Sequence, residues 1–343
     1  MRSVLPISLS CAIALVLTSC GGKKQDATAA STAAKPAAAK RISIAVIPKG
    51  TTHEFWRSIH AGAVKAAREL DVDIIWKGPL KEDDREDQIK VVENFISRGV
   101  SGIVLAPLDD VALKTPVQAA AERAIPTIII DSGLQGDAQV SFIATDNFNG
   151  GKMAGERLAE VLGGRGKVVM LRYQEGSAST MKREAGFMEA IGKHKGILVV
   201  SHNQYGGATR DSALTASENL LSPLKAPTGA LIIDGIYCPN ESTTFGMLRA
   251  LQNGGLAGVV KFVGFDSSAE LVEAMKNNEL HGLILQNPMK MGYLGVKSMV
   301  SHLKGEQIEA VIDTGAVLVT PENMNDVDIK DLLSPDLSKW LDS

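Results

Sequence analysis

The sequence predicts two doubly wound α/β lobes, each with a parallel sheet, with a cleft between them. Three observations carry this. The chain has 343 residues, the length of two ordinary domains. From Arg41 onward, short β-branched runs alternate with amphipathic stretches, the signal of βαβ units. The rhythm pauses near residue 145 and resumes, which divides the chain into two similar halves. With 45% hydrophobic and 22% charged residues, the chain falls among globular proteins and outside the disordered and disulfide-scaffold classes.

In the first half, ISIAVI at 42–47 reads as a strand, followed by a helix near 53–70, DIIW at 73–76, a helix near 85–98, GIVLA at 102–106, a helix near 111–124, TIIID at 127–131 and VSFIAT at 140–145. Such continuous apolar runs suit strands buried on both faces by crossover helices. The second half follows with a helix near 148–162, KVVML at 167–171, a helix near 180–193, LVVSHN at 198–203, a helix near 208–221, ALIID at 230–234, a helix near 242–253 and KFVGFD at 261–266. A cleft between two such halves is the natural ligand site. The last residues, from about 321 to Ser343 with Trp340, have no assignment beyond packing back on a lobe.

The chain opens with Arg2 and an apolar stretch, Val4 to Leu17, shorter than the roughly 18–20 residues of a membrane span. It reads as an export signal. Leu17-Thr18-Ser19-Cys20-Gly21 resembles a bacterial lipobox, which implies a signal peptide over 1–19 and a lipid on Cys20 that anchors the protein to a membrane. Ordinary cleavage with Cys20 incidental is the alternative. Residues 20–40 carry almost only small and polar side chains and read as a flexible tether a few nanometres long.

Charge and motif content exclude several functions. Lys and Arg number 36 against 39 Asp and Glu, so no basic surplus exists for nucleic acid. Of three cysteines, Cys11 leaves with the signal and Cys20 takes the lipid, so Cys238 has no disulfide partner. The six histidines show no metal-ligand spacing. No G-x-G-x-x-G follows a strand, and the glycine-rich stretch at 163–168 precedes one, so no nucleotide cofactor is expected. No G-x-S-x-G elbow occurs, and Cys238 has no case as a nucleophile. The pairs Asp83/Asp84 and Asp109/Asp110 are sequence neighbours that do not face each other, and they read as solvated helix starts.

In open parallel sheets, ligands sit at the carboxyl ends of strands. The residues there are Lys49 and His53 after the first strand, Asp131, Tyr205, Asn240 beyond ALIID, Asp266, and Gln286 after GLIL. Most are side chains with several hydrogen-bonding positions, such as sugar hydroxyls require. Phe55 and Trp56, in a chain only 4% aromatic, are either core residues or a platform for the apolar face of a sugar ring.

The first strand and helix with His53-Glu54-Phe55-Trp56, the run Ile125 to Asp131, Ile143 to Gly151, Gly186-Phe187, Gly246 to Leu251, Val263-Gly264-Phe265-Asp266 and the stretch Gly282 to Gly305 together resemble the ribose-binding type of periplasmic sugar-binding proteins, the type I substrate-binding components of ABC importers. The resemblance runs from Arg41 to about Thr320. It implies a hinged two-lobed fold, with 41–145 plus 287–314 forming one lobe and 146–286 plus 315–343 the other. It implies a monomer that binds a sugar without catalysis and is recognised in its closed form by permease subunits.

Position by position, it implies Phe55 and Trp56 on one sugar face and Tyr205 on the other. His53 stands where the family commonly has Asn. Asp131, Arg183, Asn240, Asp266 and Gln286 match hydroxyl binders. Ser132 replaces an Arg, Ala106 an Asn, and Lys49 a small polar residue, departures that count against ribose itself and leave the sugar open. Lys49 with Arg183 favours a carboxylate or a different hydroxyl set, or else Lys49 extends to solvent. The start Ile47-Pro48-Lys49 is also similar to autoinducer-binding proteins, and a chemotaxis-type receptor or an exported α/β enzyme are the other readings. A repressor of the same fold would carry a helix-turn-helix where this chain has a signal and tether.

Overall fold

The computed structural model describes residues 41–341. The signal peptide over 1–19, Cys20 and the tether over 20–40 lie outside the described residues. The body from Arg41 contains two six-stranded sheets.

The first sheet takes β1 (Ser43–Ile47), β2 (Asp73–Trp76), β3 (Gly102–Leu105), β4 (Thr127–Ile130), β5 (Ser141–Ala144) and β11 (Val311–Asp313) in the order β11-β5-β4-β3-β1-β2, all parallel. The second takes β6 (Arg165–Arg172), β7 (Gly196–Tyr205), β8 (Gly235–Tyr237), β9 (Lys261–Phe265), β10 (Gly282–Leu285) and β12 (Val317–Val319) in the order β12-β10-β9-β8-β6-β7. Only β12 runs antiparallel to its neighbour. Each sheet reverses its winding beside its own first strand, between β1 and β3 and between β6 and β8. That reversal opens a crevice at the strand ends.

The period of two along each strand sends alternate residues to opposite faces. Ile44, Val46, Val104, Ile128 and Ile130 pack under α1 (Glu54–Leu70) and α9 (Pro288–Leu303). Ala45, Ile47, Ile103, Leu105 and Ile129 pack under α2 (Arg85–Arg98) and α3 (Lys114–Glu122). In the second sheet, α4 (Asn147–Val161) and α5 (Ala178–Gly192) cover one face. The other face lies under α6 (Arg210–Leu221), α7 (Glu241–Asn253), α8 (Ala269–Lys276) and α10 (Val327–Leu333).

The chain passes between the sheets three times, after β5, after β10 and between β11 and β12. Two of these passages are bonded together, since Thr145 Oγ1 lies 3.3 Å from Thr314 Oγ1 and donates to Gly315 O at 3.1 Å. The C-terminal residues that the sequence left unassigned form α10 and a tail. Ile329 and Leu333 enter the second lobe's core. The carbonyls of Lys339 and Trp340 accept from Arg68 of α1 in the first lobe.

One strand differs from its sequence-based placement. β8 is Gly235–Tyr237, not ALIID at 230–234. Both runs are apolar, but only Gly235–Tyr237 pairs with β6 on one side and β9 on the other. Leu231 instead bridges back to Lys225, and Asp234 ties the entrance of the sheet by accepting from Lys167 N at 2.7 Å.

Both lobes use the same device to bring helices together. A methyl group on Gly62 of α1 would stand 1.9 Å from Met289 O of α9, and one on Gly151 of α4 would stand 1.9 Å from Arg183 O of α5. Gly62→Ala is therefore expected to cost about 1–3 kcal/mol of unfolding free energy through overpacking. Gly192→Ala, at the end of α5 with nothing within 4 Å, is expected to be neutral or slightly stabilising. Denaturant unfolding of both variants checks this, and an unchanged midpoint for Gly62→Ala refutes it.

Candidate functional site

The carboxyl ends of the two sheets meet across a cavity lined from both lobes. Its charged groups are paired. Lys49, just past β1, reaches Asp131 Oδ2 at 2.9 Å, with both side chains 4% exposed. The same ammonium donates across the cleft to Ser179 Oγ at 3.1 Å and Ser177 Oγ at 3.4 Å. His53, the residue before α1, has its Nδ1 3.3 Å from Glu241 Oε2 of the other lobe and its Nε2 3.6 Å from Glu82 Oε1. Arg183 of α5 donates to Asn147 Oδ1 at 2.8 Å and Pro239 O at 3.0 Å, and lies 3.7 Å from Asp266 Oδ2.

Asp131 and Asp266 occupy equivalent places, each one residue beyond the fourth strand of its sheet. Both adopt left-handed backbone, with φ of 62° and 64°. Their N–H groups donate to Ile143 O at 3.1 Å and Ile284 O at 2.8 Å on the fifth strands. Residues other than glycine seldom take this conformation, and Asp is among the few that do so readily. It turns the chain sharply at the strand end and leaves each carboxylate lining the cavity.

Nine of the sequence-expected residues line the cavity: Lys49, His53, Phe55, Trp56, Asp131, Arg183, Asn240, Asp266 and Gln286. Phe55 and Trp56 meet edge to face at 5.0 Å. Trp56 belongs to the core as well, and its indole N–H donates to Glu82 Oε1 at 2.8 Å. Asn240 spends its side-chain oxygen on capping α7 at Thr243 N. Gln286 donates to Asp266 Oδ1 at 2.8 Å, while its own Oε1 is buried without a partner.

Two expected residues are not among the lining. Ser132 is fully buried and exchanges hydrogen bonds with Ser179, accepting from its N–H at 3.0 Å. Tyr205 ends the edge strand β7, is 39% exposed, and stacks under the Arg172 guanidinium at 4.6 Å. The edge position holds it away from the sheet's switch point.

Tyr173, the first residue beyond β6, brings an aromatic ring to the cavity instead. Its hydroxyl donates to Glu82 Oε2 at 2.7 Å. Tyr173 could have been found by applying the strand-end rule to β6. Glu82 stands in the loop after β2, and Glu241 begins α7. Ser177, Ser179 and Thr180 at the start of α5 also line the space and carried no sequence signal.

Burial pushes the Asp266 carboxyl up to about 6, against the pull of Arg183 and Gln286, and the charges of Asp131 and Glu241 add to the rise. Burial works to lower His53, but its hydrogen bond to Glu241 and the charges of Glu82 and Glu241 outweigh that, so His53 is raised. Burial beside Glu82 holds the Tyr173 phenol well above its ordinary range. Buried Cys238, behind the site, is likewise raised by desolvation and is a free thiol without thiolate character. Among the described residues no group of His, Cys, Asp and Glu is arranged to hold a metal ion.

Comparison with known proteins places this architecture. A model of the periplasmic binding protein domain matches residues 44–307. The chain belongs to the periplasmic binding protein family. This binding protein is 31% identical over 280 residues to the ribose import binding protein of Haemophilus influenzae, covering 82% of this chain and 92% of that one. It is similar in structure to a carbohydrate transporter solute binding protein from Agrobacterium radiobacter in complex with D-arabinose, with a TM-score of 0.81, 33% identity, and coverage of 86% of this chain and 100% of that chain. An ABC transporter solute binding protein from Agrobacterium vitis with bound D-fucose gives a TM-score of 0.80 at 34% identity, over 85% and 100% of the two chains. The binding protein is thus of the ribose type that serves ABC importers and is not an enzyme, as its sequence indicated.

The raised Asp266 value fixes a sign for pH dependence. A carboxyl with a folded value above its ordinary 3.8 contributes stability that is complete below that pH and lost as pH rises through about 6. The Asp266 share of folding stability is therefore expected to decline between roughly pH 4 and 7. Carbon-13 NMR titration of the carboxyl checks it, with a midpoint near 6 expected and one near 4 refuting it.

Proposed function

We propose that this binding protein captures one neutral monosaccharide between its lobes and delivers it, in the closed form, to the permease of an ABC importer, while a lipid on Cys20 holds it at the membrane. The observation that carries the sugar reading is the lining itself. Fixed polar groups from both lobes stand beside the rings of Phe55, Trp56 and Tyr173. Sugar hydroxyls both donate and accept, and the apolar faces of sugar rings suit aromatic cover. The buried, unpartnered Gln286 Oε1 is an acceptor that such a hydroxyl would satisfy.

Charge pairing argues for a neutral ligand. Lys49 is matched by Asp131, Arg183 lies beside Asp266, and His53 stands between Glu82 and Glu241. A ligand carboxylate would enter beside four carboxylates and meet no unmatched cation, which is costly in a buried site. This argues against the acidic ligand that Lys49 and Arg183 suggested from sequence. Relatives that import ribose or hold D-arabinose and D-fucose support the neutral sugar class. The family supports a periplasmic location. The Leu17 to Gly21 sequence supports the lipid, and a cleft formed within one chain supports a monomer.

Thermal unfolding of the mature protein against neutral pentoses, hexoses, polyols and sugar acids tests the ligand. At 100 times its dissociation constant, a neutral monosaccharide is expected to stabilise the fold by about 2.7 kcal/mol and to be recovered unchanged by mass analysis. Stabilisation by sugar acids alone, or recovery of an altered compound, refutes the reading. For the anchor, intact mass analysis of the protein from membranes is expected to show Cys20 as the N-terminus with an added diacylglyceryl mass. The mass of the bare polypeptide would refute it.

A further inference from the structure

We propose that Tyr173, held by Glu82, sets the size limit of the ligand: it admits a sugar ring and excludes an exocyclic hydroxymethyl group on that ring. The proposal rests on the monosaccharide reading and adds to it a pair that neither the strand-end tally nor the family resemblance contained.

Tyr173 follows β6 at the switch point of the second sheet, and its ring lines the cavity at 1% exposure. It is fixed at both ends. Its backbone N–H donates to Glu184 Oε1 at 3.2 Å, and Glu184 is itself held by Arg172 at 2.7 Å. Its hydroxyl crosses the cleft to Glu82 Oε2 at 2.7 Å. Glu82 is fixed in turn. Its other oxygen accepts from Trp56 Nε1 at 2.8 Å, and its main-chain carbonyl accepts from Gln174 Nε2 at 2.9 Å.

Most aromatic side chains lining a cleft can turn between staggered rotamers to admit a larger guest. A ring clamped at its backbone and at its hydroxyl, within a close-packed wall, has no such freedom. The hydroxyl bond is to a buried carboxylate at 2.7 Å, so it is of the stronger kind. Glu82 therefore acts on the ligand through the position of the Tyr173 ring and is a positioning residue. An added substituent on the side of the guest that faces Tyr173 meets this fixed ring rather than a movable one.

The test uses pairs of sugars that share ring stereochemistry and differ by one hydroxymethyl group: D-xylose with D-glucose, L-arabinose with D-galactose, and D-ribose with D-allose. Calorimetric titration of the mature protein is expected to show the pentose of at least one pair bound about 10-fold or more tighter than its hexose partner, the scale by which a pocket discriminates such groups. Tyr173→Ala is expected to bring that ratio near one or reverse it. Tyr173→Leu serves where the Ala variant does not fold. Glu82→Ala, which leaves the ring but frees its hydroxyl, is expected to lower the ratio part-way. Glu82→Gln, whose amide can keep one bond to the phenol by accepting through Oε1, or by donating through Nε2 while Oε1 takes the Trp56 N–H, is expected to retain more of the ratio than Glu82→Ala.

Equal affinity of the unmodified protein for both members of every bound pair overturns the proposal and leaves the monosaccharide reading standing. So does an unchanged ratio in a folded Tyr173→Ala or Tyr173→Leu variant. Binding of none of the six sugars overturns the proposal, because no ring of either size is then admitted; the monosaccharide reading is decided by the wider thermal-unfolding panel.

Discussion

Charge placed between the two lobes must be matched there, because removing it from water costs several kcal/mol per ion unless a partner stands at hydrogen-bonding distance. The rest of the site follows from that constraint. Lys49 is held by Asp131 of its own lobe and by two serines of the other. His53 needs Glu241, which only the second lobe supplies. Glu82 takes one donor from Trp56 in its own lobe and one from Tyr173 opposite. Separating the lobes returns these groups to water, where their charges are tolerated singly. Bringing the lobes together requires that they find each other. Polar pairing thus fixes the register of closure more tightly than apolar contact would, since it is directional.

The two sheets meet this constraint with one plan used twice. Each winds outward from its first strand, and each ends its fourth strand in an aspartate with left-handed backbone. The chemistry around the two carboxylates then diverges. Asp131 is neutralised by a lysine at 2.9 Å. Asp266 has an arginine at 3.7 Å and an amide at 2.8 Å, so burial dominates and its carboxyl is raised to about 6. Repetition of the backbone plan explains why both lobes offer acceptors to the same cavity. Divergence of the partners explains why the cavity does not treat its two sides alike.

The alternation of β-branched runs with amphipathic stretches made most of the elements legible, because strands buried on both faces are built mostly of apolar residues. The strand-end rule likewise found Lys49, Asp131, Asp266 and Gln286, whose placement depends on topology that the alternation implies. It failed where strand identity was ambiguous or pairing was distant. ALIID and GIY are equally apolar, and only the neighbours β6 and β9 select the second. Tyr205 and Tyr173 both end strands, yet β7 is an edge and β6 borders the switch point. That Lys49 would be matched by Asp131 was not readable, since nothing local in either segment reports how far two strand ends stand apart. The roles of Glu82 and Ser179 were hidden for the same reason.

Several bonds between the lobes bypass the cavity contents altogether. The segment after β6 docks on the first lobe through Arg85 to Glu175 O at 3.0 Å, Asp110 N to Gly176 O at 3.0 Å and Ser179 N to Ser132 Oγ at 3.0 Å. The C-terminal tail runs from α10 in the second lobe's core to Arg68 of the first. Such contacts give the closed arrangement a stability of its own. A ligand then needs to supply only the difference between open and closed forms, and its apparent affinity rises with the fraction already closed. The same contacts limit selectivity by closure alone, because any guest that fits profits from them equally. Discrimination must therefore come from groups that face the guest itself, which places it on the rigid aromatic and carboxylate lining rather than on the hinge.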